Sequence, residues 1–201
     1  MSTLQLVAAV ALGYVLGAIP SGVLVGRLRG VDPRDAGSGR TGTTNAYRTM
    51  GMRWAALVAV LDVAKGVAAV LLGNLIGPGP WAGALAGVAA VVGHVRSVFI
   101  GFEGGRGVAT GAGVMILLAP LAVLAAIVEF AVVVGATRYV SLGSILGSIT
   151  VAIISVVLAA VGWAGIEVAV AGCAIAAIVV VSHADNIERL RAGTERRFGS
   201  G

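Results

Sequence analysis

An all-α, polytopic membrane protein of about seven spans is the fold class this sequence predicts, and three observations predict it. Of the 201 residues, 58% are hydrophobic and only 11% charged. With a mean hydropathy of +1.01, the chain carries more apolar surface than a soluble domain of this length can bury. The apolar residues gather into runs of spanning length, where about 20 residues cross a bilayer core. Of the 14 Lys and Arg, 13 gather in four polar segments at or beyond the ends of those runs, and Lys65 alone lies deep inside one.

The runs cover residues 4–26, 54–76, 80–100, 108–136, 142–162 and 164–182. The first has no basic residues ahead of it and is followed by Arg27 and Arg29, the reverse of a cleavable signal, so it reads as a retained span. The fourth is too long for one comfortable crossing and contains Pro120. It therefore divides into two short helices, about 108–118 and 120–137, which brings the count to seven. Gly13/Gly17, Gly83/Gly87 and Gly143/Gly147 give GxxxG spacings inside these runs, the pattern of closely approaching helices. The whole of residues 1–201 reads as one transmembrane domain.

Charge gives the sidedness. The basic residues lie at 27–53, at 96 and 106, at 138 and in the tail at 189–197. With seven spans these four segments share one face, which the positive-inside rule makes cytoplasmic, with the N-terminus outside and the C-terminus in the cytoplasm. The other face receives the turn Gly77-Pro78-Gly79-Pro80, the Pro120 bend and residues 162–165. Six spans would strand the last two polar segments on the opposite side. The net charge of +5 comes without a basic patch interleaved with aromatics, so lipid headgroups and anionic substrates fit it better than nucleic acid. Cys173 stands alone in an apolar run, which leaves neither a disulfide framework nor a CxxC pair.

Two polar segments are built to hold anions. In residues 27–48, Gly37, Gly39 and Gly42 match GxGxxG, but no strand precedes them and no βαβ unit surrounds them, so a dinucleotide fold is not implied. The local physics is a nest: glycines let backbone N–H groups converge, Ser38, Thr41, Thr43 and Thr44 add hydroxyls, and Arg40 and Arg48 add charge. A plain solvated loop is the competing reading, since the same residues dominate turns. In residues 93–110, Gly104, Gly105, Arg106 and Gly107 lead straight into an apolar helix, which aims N–H groups and the positive end of a helix dipole at one place. A re-entrant loop that only turns the chain is the alternative there. No GxxxxGK[ST] pattern is present, which argues against an ATP-hydrolysing P-loop.

Further along, Arg138, Ser141 and Ser144 mark a helix boundary, and His183 and Asn186 stand at i and i+3 where the last run meets water. His183 is a candidate proton acceptor or phosphate donor, although a lone interfacial histidine is usually neither. Ionisable residues inside spans cost about 2.5–3.5 kcal/mol at mid-membrane, which singles out Asp62, Lys65 and Glu129. Asp62 and Lys65 lie one helical turn apart and can pair, as a structural ion pair or around a substrate.

Taken together these segments resemble the acyl-phosphate-dependent glycerol-3-phosphate acyltransferases of bacterial membranes, the PlsY family, over nearly the whole chain. The first motif resembles Ser21-Gly22, Asp32-Pro33-Arg34, Gly37-Ser38-Gly39, Gly42, Thr44-Asn45 and Arg48. The second resembles Gly93-His94, Phe99, Phe102, Gly104-Gly105 and Gly107-Val108-Ala109-Thr110. Residues 61–66, Ser141-Leu142 and the tail His183, Asn186-Ile187, Arg189-Leu190 and Gly193-Thr194-Glu195 also match. Three positions depart from the family pattern: Arg40 replaces an Asn, Arg106 replaces a Lys, and Val95, Arg96 and Ser97 stand where Phe-Pro is usual. Arginine for lysine keeps the charge and adds a bidentate fork.

The resemblance implies transfer of an acyl group from acyl phosphate to the sn-1 hydroxyl of glycerol 3-phosphate, giving lysophosphatidic acid and phosphate. It implies Ser38, Arg48, His183 and Asn186 as catalytic residues. Gly37, Gly39, Arg40, Thr43, Asn45, Lys65, His94, Gly104, Gly105, Arg106, Gly107 and Ser141 would bind substrate or its phosphate, and Glu195 would be more structural. It also implies no metal or organic cofactor, an acyl-phosphate-forming enzyme as partner, and a bacterial inner-membrane location with the site facing the cytoplasm. Neither His94 nor His183 is followed by the Asp of an HxxxxD dyad, so the base is His183 or a substrate phosphate oxygen. A small transporter for a phosphorylated solute is the rival reading, since the same nests occur near broken helices.

Overall fold

The computed structural model describes residues 2–77 and 79–199, so Pro78 of the expected Gly77–Pro80 turn lies outside the described residues. The regular elements among the described residues are all helices: α1 (Thr3–Ala18), α2 (Ser21–Arg27), α3 (Thr43–Met50), α4 (Met52–Ile76), α5 (Pro80–Val95), a 3₁₀ turn (Val98–Ile100), α6 (Val108–Leu118), α7 (Pro120–Thr137), α8 (Val140–Ala160), α9 (Ile166–Ser182) and α10 (Ala184–Arg191). Thr3–Arg27, Met52–Ile76, Pro80–Ile100, Pro120–Thr137 and Val140–Ala160 are long and apolar enough to cross a membrane. A sixth span follows if α9 and α10, bent by 58° at their junction, are taken as one. The division of the fourth run falls where expected, with α6 ending at Leu118 and Pro120 opening α7 at its first turn. The 11 residues of α6 reach about 16 Å, half the thickness of a hydrocarbon core.

The chain forms two compact units, Met1–Leu117 and Leu118–Gly201. In the first, α1 lies along α5 and α4, and α3 rests on α4. A capping box starts α1, with the Gln5 N–H donating to Ser2 Oγ (3.2 Å) and the Ser2 N–H to Gln5 Oε1 (2.9 Å). Close approach along α1 and α5 is possible because Gly13 and Gly17 have no Cβ; a Cβ there would collide with the carbonyls of Ala86 and Ala90. The first apolar run is not one helix as its composition suggests. It breaks at Ile19 (φ −56°, ψ 116°), because Pro20 disfavours the helical region for the residue before it and brings no N–H of its own.

That break frees carbonyls at a depth where water is scarce, and side chains from other helices satisfy them. Lys65 Nζ on α4 donates to the Ile19 carbonyl (2.9 Å), and Ser97 Oγ, just past α5, donates to the Ala18 carbonyl (2.5 Å). The Tyr14 hydroxyl on α1 donates to the Arg96 carbonyl (2.8 Å), binding the same region from the other direction.

In the second unit α8 is the centre, packed on α7 and on α9. Gly143 faces Phe130 and Val134, and Gly147 faces Ala126, the small-residue contact that its GxxxG spacing predicts. Of its 18 residues, α7 buries only Ala122 and Val123, leaving Leu124, Ile127, Val128 and Val132 outward as a lipid-facing surface. Glu129 is paired here, accepting from Thr150 Oγ1 of α8 at 2.5 Å. Arg138, in the left-handed conformation (φ 63°), ends α7. Its carbonyl accepts from the Phe198 N–H (2.7 Å) and its Nε donates to the Phe198 carbonyl (2.9 Å).

Two substitutions separate the packed glycines from the idle ones. Gly17→Val forces α1 away from the Ala90 backbone, and detergent-solubilised protein is expected to lose about 1–3 kcal/mol in thermal unfolding. Gly135→Ala in α7, with nothing within 4 Å of the added methyl, should be neutral or gain about 0.5–1 kcal/mol in the same measurement.

Candidate active site

The first motif is organised by one amide. Asn45, in the first turn of α3 and almost fully buried, donates from Nδ2 to the carbonyls of Pro33 (2.6 Å), Arg40 (2.8 Å) and Ala36 (3.2 Å). Its Oδ1 accepts from the Ser38 N–H (2.8 Å). Those bonds occupy the amide, so Asn45 shapes the loop from within and presents no polar atom to a ligand. Gly37 fits around it: with φ at 66° it takes a backbone region costly for other residues, and a Cβ would strike Asn45 Oδ1. The Ser38 side chain, by contrast, is exposed, as is that of Arg48 in the last turn of α3. Thr43 Oγ1 is buried with no hydrogen-bond partner among the described residues. At the outer edge Arg34 grips Asp32 through Nε (3.0 Å) and Nη2 (2.6 Å), and these hydrogen bonds lower the Asp32 carboxyl to about 2.

The second motif folds over the end of α5. The Gly105 N–H donates to the His94 carbonyl (3.1 Å), and a Cβ on Gly104 would collide with that carbonyl. A Cβ on Gly105 would strike His94 Nε2, so the buried imidazole lies directly beneath the glycine loop. His94 Nδ1 faces Asp62 Oδ1 at 3.5 Å, and Asp62 Oδ1 pairs with Lys65 Nζ at 2.9 Å. His94 thus sits under the glycine loop, and Lys65 Nζ is engaged by Asp62 and the Ile19 carbonyl. The backbone N–H groups that open α6 follow at once from residue 108, with intrahelical acceptors lacking for the first of them. The two motifs meet: a Cβ on Gly42 would come within 3.9 Å of Gly105 Cα. Ser38 and Arg40 in one loop and Arg106 in the other, which opens α6, thus lie on adjoining loops of the first unit, with Arg48 on the helix α3 that follows the first.

In the second unit Glu195 holds the tail segment together. Its Oε1 accepts from Ser141 Oγ (2.8 Å) and Asn186 Nδ2 (2.6 Å), and its Oε2 from Arg189 Nε (2.8 Å). Burial pushes this carboxyl up, but the bonds from Arg189, Ser141 and Asn186 outweigh it and hold the group below its ordinary 4.5. Ser141 is thereby committed to Glu195, a structural partner that its family role did not foretell. Asn186 Oδ1 remains a buried acceptor with no hydrogen-bond partner among the described residues. His183, 2% exposed at the α9–α10 bend, donates from Nδ1 to the Val179 carbonyl (2.8 Å). Among the described residues no group of three or more His, Cys, Asp or Glu is arranged to hold a metal.

Sequence reasoning missed Tyr14 and Ser97, whose hydroxyls tie α1 to the end of α5. The available signal was Pro20, which announces freed carbonyls in an apolar run. The link from Asp62 to His94 had no sequence signal, since 32 positions separate them and no periodicity relates α4 to the end of α5.

A sequence model described as glycerol-3-phosphate acyltransferase matches residues 7–193. A glycerol-3-phosphate acyltransferase of Geobacter sulfurreducens is 45% identical over 189 residues, covering 94% of this chain and 95% of its own. Glycerol-3-phosphate acyltransferase 1 of Deinococcus radiodurans is 44% identical over 98% of both chains. Among solved structures, PlsY (YgiH), an integral membrane glycerol 3-phosphate acyltransferase, superposes in its glycerol 3-phosphate form with a TM-score of 0.88 at 36% identity, covering 97% of this chain and 96% of that one. Its lysophosphatidic acid form gives 0.86 at 35% identity, with the same coverage.

Two outcomes test these hubs. Asn45→Asp keeps the size but loses the Nδ2 donor, so limited proteolysis should cut within residues 33–42 and thermal stability should fall by about 1–3 kcal/mol. Because the Glu195 carboxyl is depressed in the fold, its stabilisation is complete above pH 4.5 and is lost as the pH falls through the lower folded value. Melting temperature measured from pH 7 downward should therefore drop further for the parent protein than for Glu195→Gln, which is less stable at pH 7 but has no such titration.

Proposed function

The chain belongs to the glycerol-3-phosphate acyltransferase family, and we propose that it takes its acyl group from an acyl phosphate, placing it on the sn-1 hydroxyl of glycerol 3-phosphate. It is a membrane glycerol-3-phosphate acyltransferase. The hydroxyl oxygen bonds to the acyl carbon, the mixed-anhydride C–O bond breaks, and inorganic phosphate leaves as 1-acyl-glycerol 3-phosphate remains in the membrane. The hydroxyl proton passes either to His183 Nε2 or to an oxygen of the departing phosphate.

The approach of Gly42 to Gly105 carries this reading, because it brings two phosphate-binding loops to one place. Glycerol 3-phosphate presents one phosphate and acyl phosphate another. A donor already activated needs alignment and charge neutralisation more than it needs a strong nucleophile. Gly104, Gly105, Arg106 and Gly107, with the N-terminus of α6, are assigned to the glycerol 3-phosphate phosphate. Gly37, Gly39, Arg40 and Thr43 are assigned to the anionic end of the donor, with Ser38, Arg48, His183 and Asn186 as the catalytic residues. Asn45, Lys65, His94 and Ser141 support these groups from beneath.

Seven spans, with the basic segments in the cytoplasm and the site facing it across a bacterial inner membrane, complete the proposal. Five long helices, the bent α9–α10 pair and the short α6 supply the segments for that count, and the distribution of arginines supplies the orientation. An acyl-phosphate-forming enzyme is then the upstream partner.

Purified protein given acyl phosphate and labelled glycerol 3-phosphate should form labelled lysophosphatidic acid and release phosphate, while liposomes carrying it should take up no labelled solute. Uptake without lipid product would favour a transporter. Ser38→Ala and Arg48→Ala should lower kcat by at least about 100-fold with normal thermal unfolding, and Arg106→Gln should raise KM for glycerol 3-phosphate about tenfold. His183→Gln separates the two proton routes: near-total loss of kcat assigns the proton to His183, and a kcat within about tenfold assigns it to the phosphate.

A further inference from the structure

We propose that Asp62 is a positioning residue for substrate binding, a buried carboxylate that fixes the floor under the glycine loop and anchors the helix break that leads to the first motif; this rests on the acyl-transfer reading of that loop. Asp62 is 1% exposed on α4. Both its oxygens are buried, and neither has an aligned hydrogen bond among the described residues, although Lys65 Nζ lies 2.9 Å and His94 Nδ1 3.5 Å from Oδ1. A lone carboxylate at membrane depth is costly, and its position is set by the donors that face it.

One of those donors reaches on to a helix break and the other to a loop. Lys65 passes from Asp62 to the Ile19 carbonyl, at the break that leads through α2 into the first motif. His94 turns its Nδ1 to Asp62 and its opposite ring edge to Gly105, where a Cβ would strike Nε2. The His94 carbonyl also receives the Gly105 N–H at 3.1 Å. One side chain thus orients the imidazole that supports the glycine loop and the ammonium that ties down the broken helix. Asp62 touches neither loop, so its removal should loosen the receptor for glycerol 3-phosphate and leave the reacting groups unchanged. The effect belongs in KM.

Asp62→Asn alone strands the Lys65 charge, and loss of folding there would be uninformative. The test is therefore the neutral pair Asp62→Asn with Lys65→Gln, which keeps a donor for the Ile19 carbonyl. In the folded double variant, KM for glycerol 3-phosphate should rise about 10- to 100-fold, with kcat and KM for acyl phosphate within about twofold of the parent. Unchanged KM for glycerol 3-phosphate, or a fall confined to kcat, overturns the proposal. A second measurement needs no Asp62 variant: ¹⁵N-histidine spectra of the parent protein, with His94 assigned through a His183→Asn sample. A protonated Nδ1 on His94 supports its contact with Asp62, and an Nε2–H tautomer with bare Nδ1 overturns the proposal. An acyl-transfer failure in the parent protein would remove the functional reading while leaving the histidine spectrum to judge the contact.

Discussion

A polar backbone group cannot be left bare in hydrocarbon, and the break at Ile19 and Pro20 makes this constraint local. An unbroken helix would carry the chain through residue 27 with every interior carbonyl satisfied within itself. Breaking it frees the carbonyls of Ala18 and Ile19, and the donors that answer come from two other helices, Ser97 after α5 and Lys65 on α4. These are the helices that lead to the glycine loop and hold Asp62. The need to satisfy two carbonyls therefore ties the root of the first motif to the root of the second, and the apposition of Gly42 and Gly105 follows from it.

The two hubs of the molecule solve different problems with different chemistry. Asn45 sits among three carbonyls and one N–H, a setting that needs a side chain able to donate and accept at once. An aspartate of the same shape would repel the carbonyls. Glu195 sits among three donors, one of them a guanidinium, and there an ionised acceptor is the right group. In each case the hub lies back from the surface: Asn45 leaves the Ser38 side chain exposed, and Glu195 holds Asn186, whose Oδ1 stays buried. Removing a hub should thus disorder a site without taking away any atom that meets the substrate.

Much of this was legible in the sequence. Pro120 divided a long apolar run at the residue where α6 gives way to α7, and every GxxxG glycine but Gly147 marked a contact that a Cβ would crowd. Asp62 and Lys65 announced a pair by their spacing and formed one. The span over 4–26 stands as Thr3–Arg27, but the break at Pro20 within it and the helix α3 within the polar first motif were not read from the sequence. The burial of His94, Lys65 and Asn45 was not legible either. A motif names residue types in order, and a polar residue that builds a loop leaves the same letter as one that meets the ligand.

The clasp between Arg138 and Phe198 has a topological consequence. Two reciprocal main-chain and guanidinium bonds bring the start of α8 and the end of the tail to the same point, with α8 and α9 traversed between them. A path that leaves a point and returns to it through a slab must cross that slab an even number of times. Whatever the total number of crossings, Arg138 and the arginines around residue 197 share a leaflet, so one electrostatic surface potential acts on both.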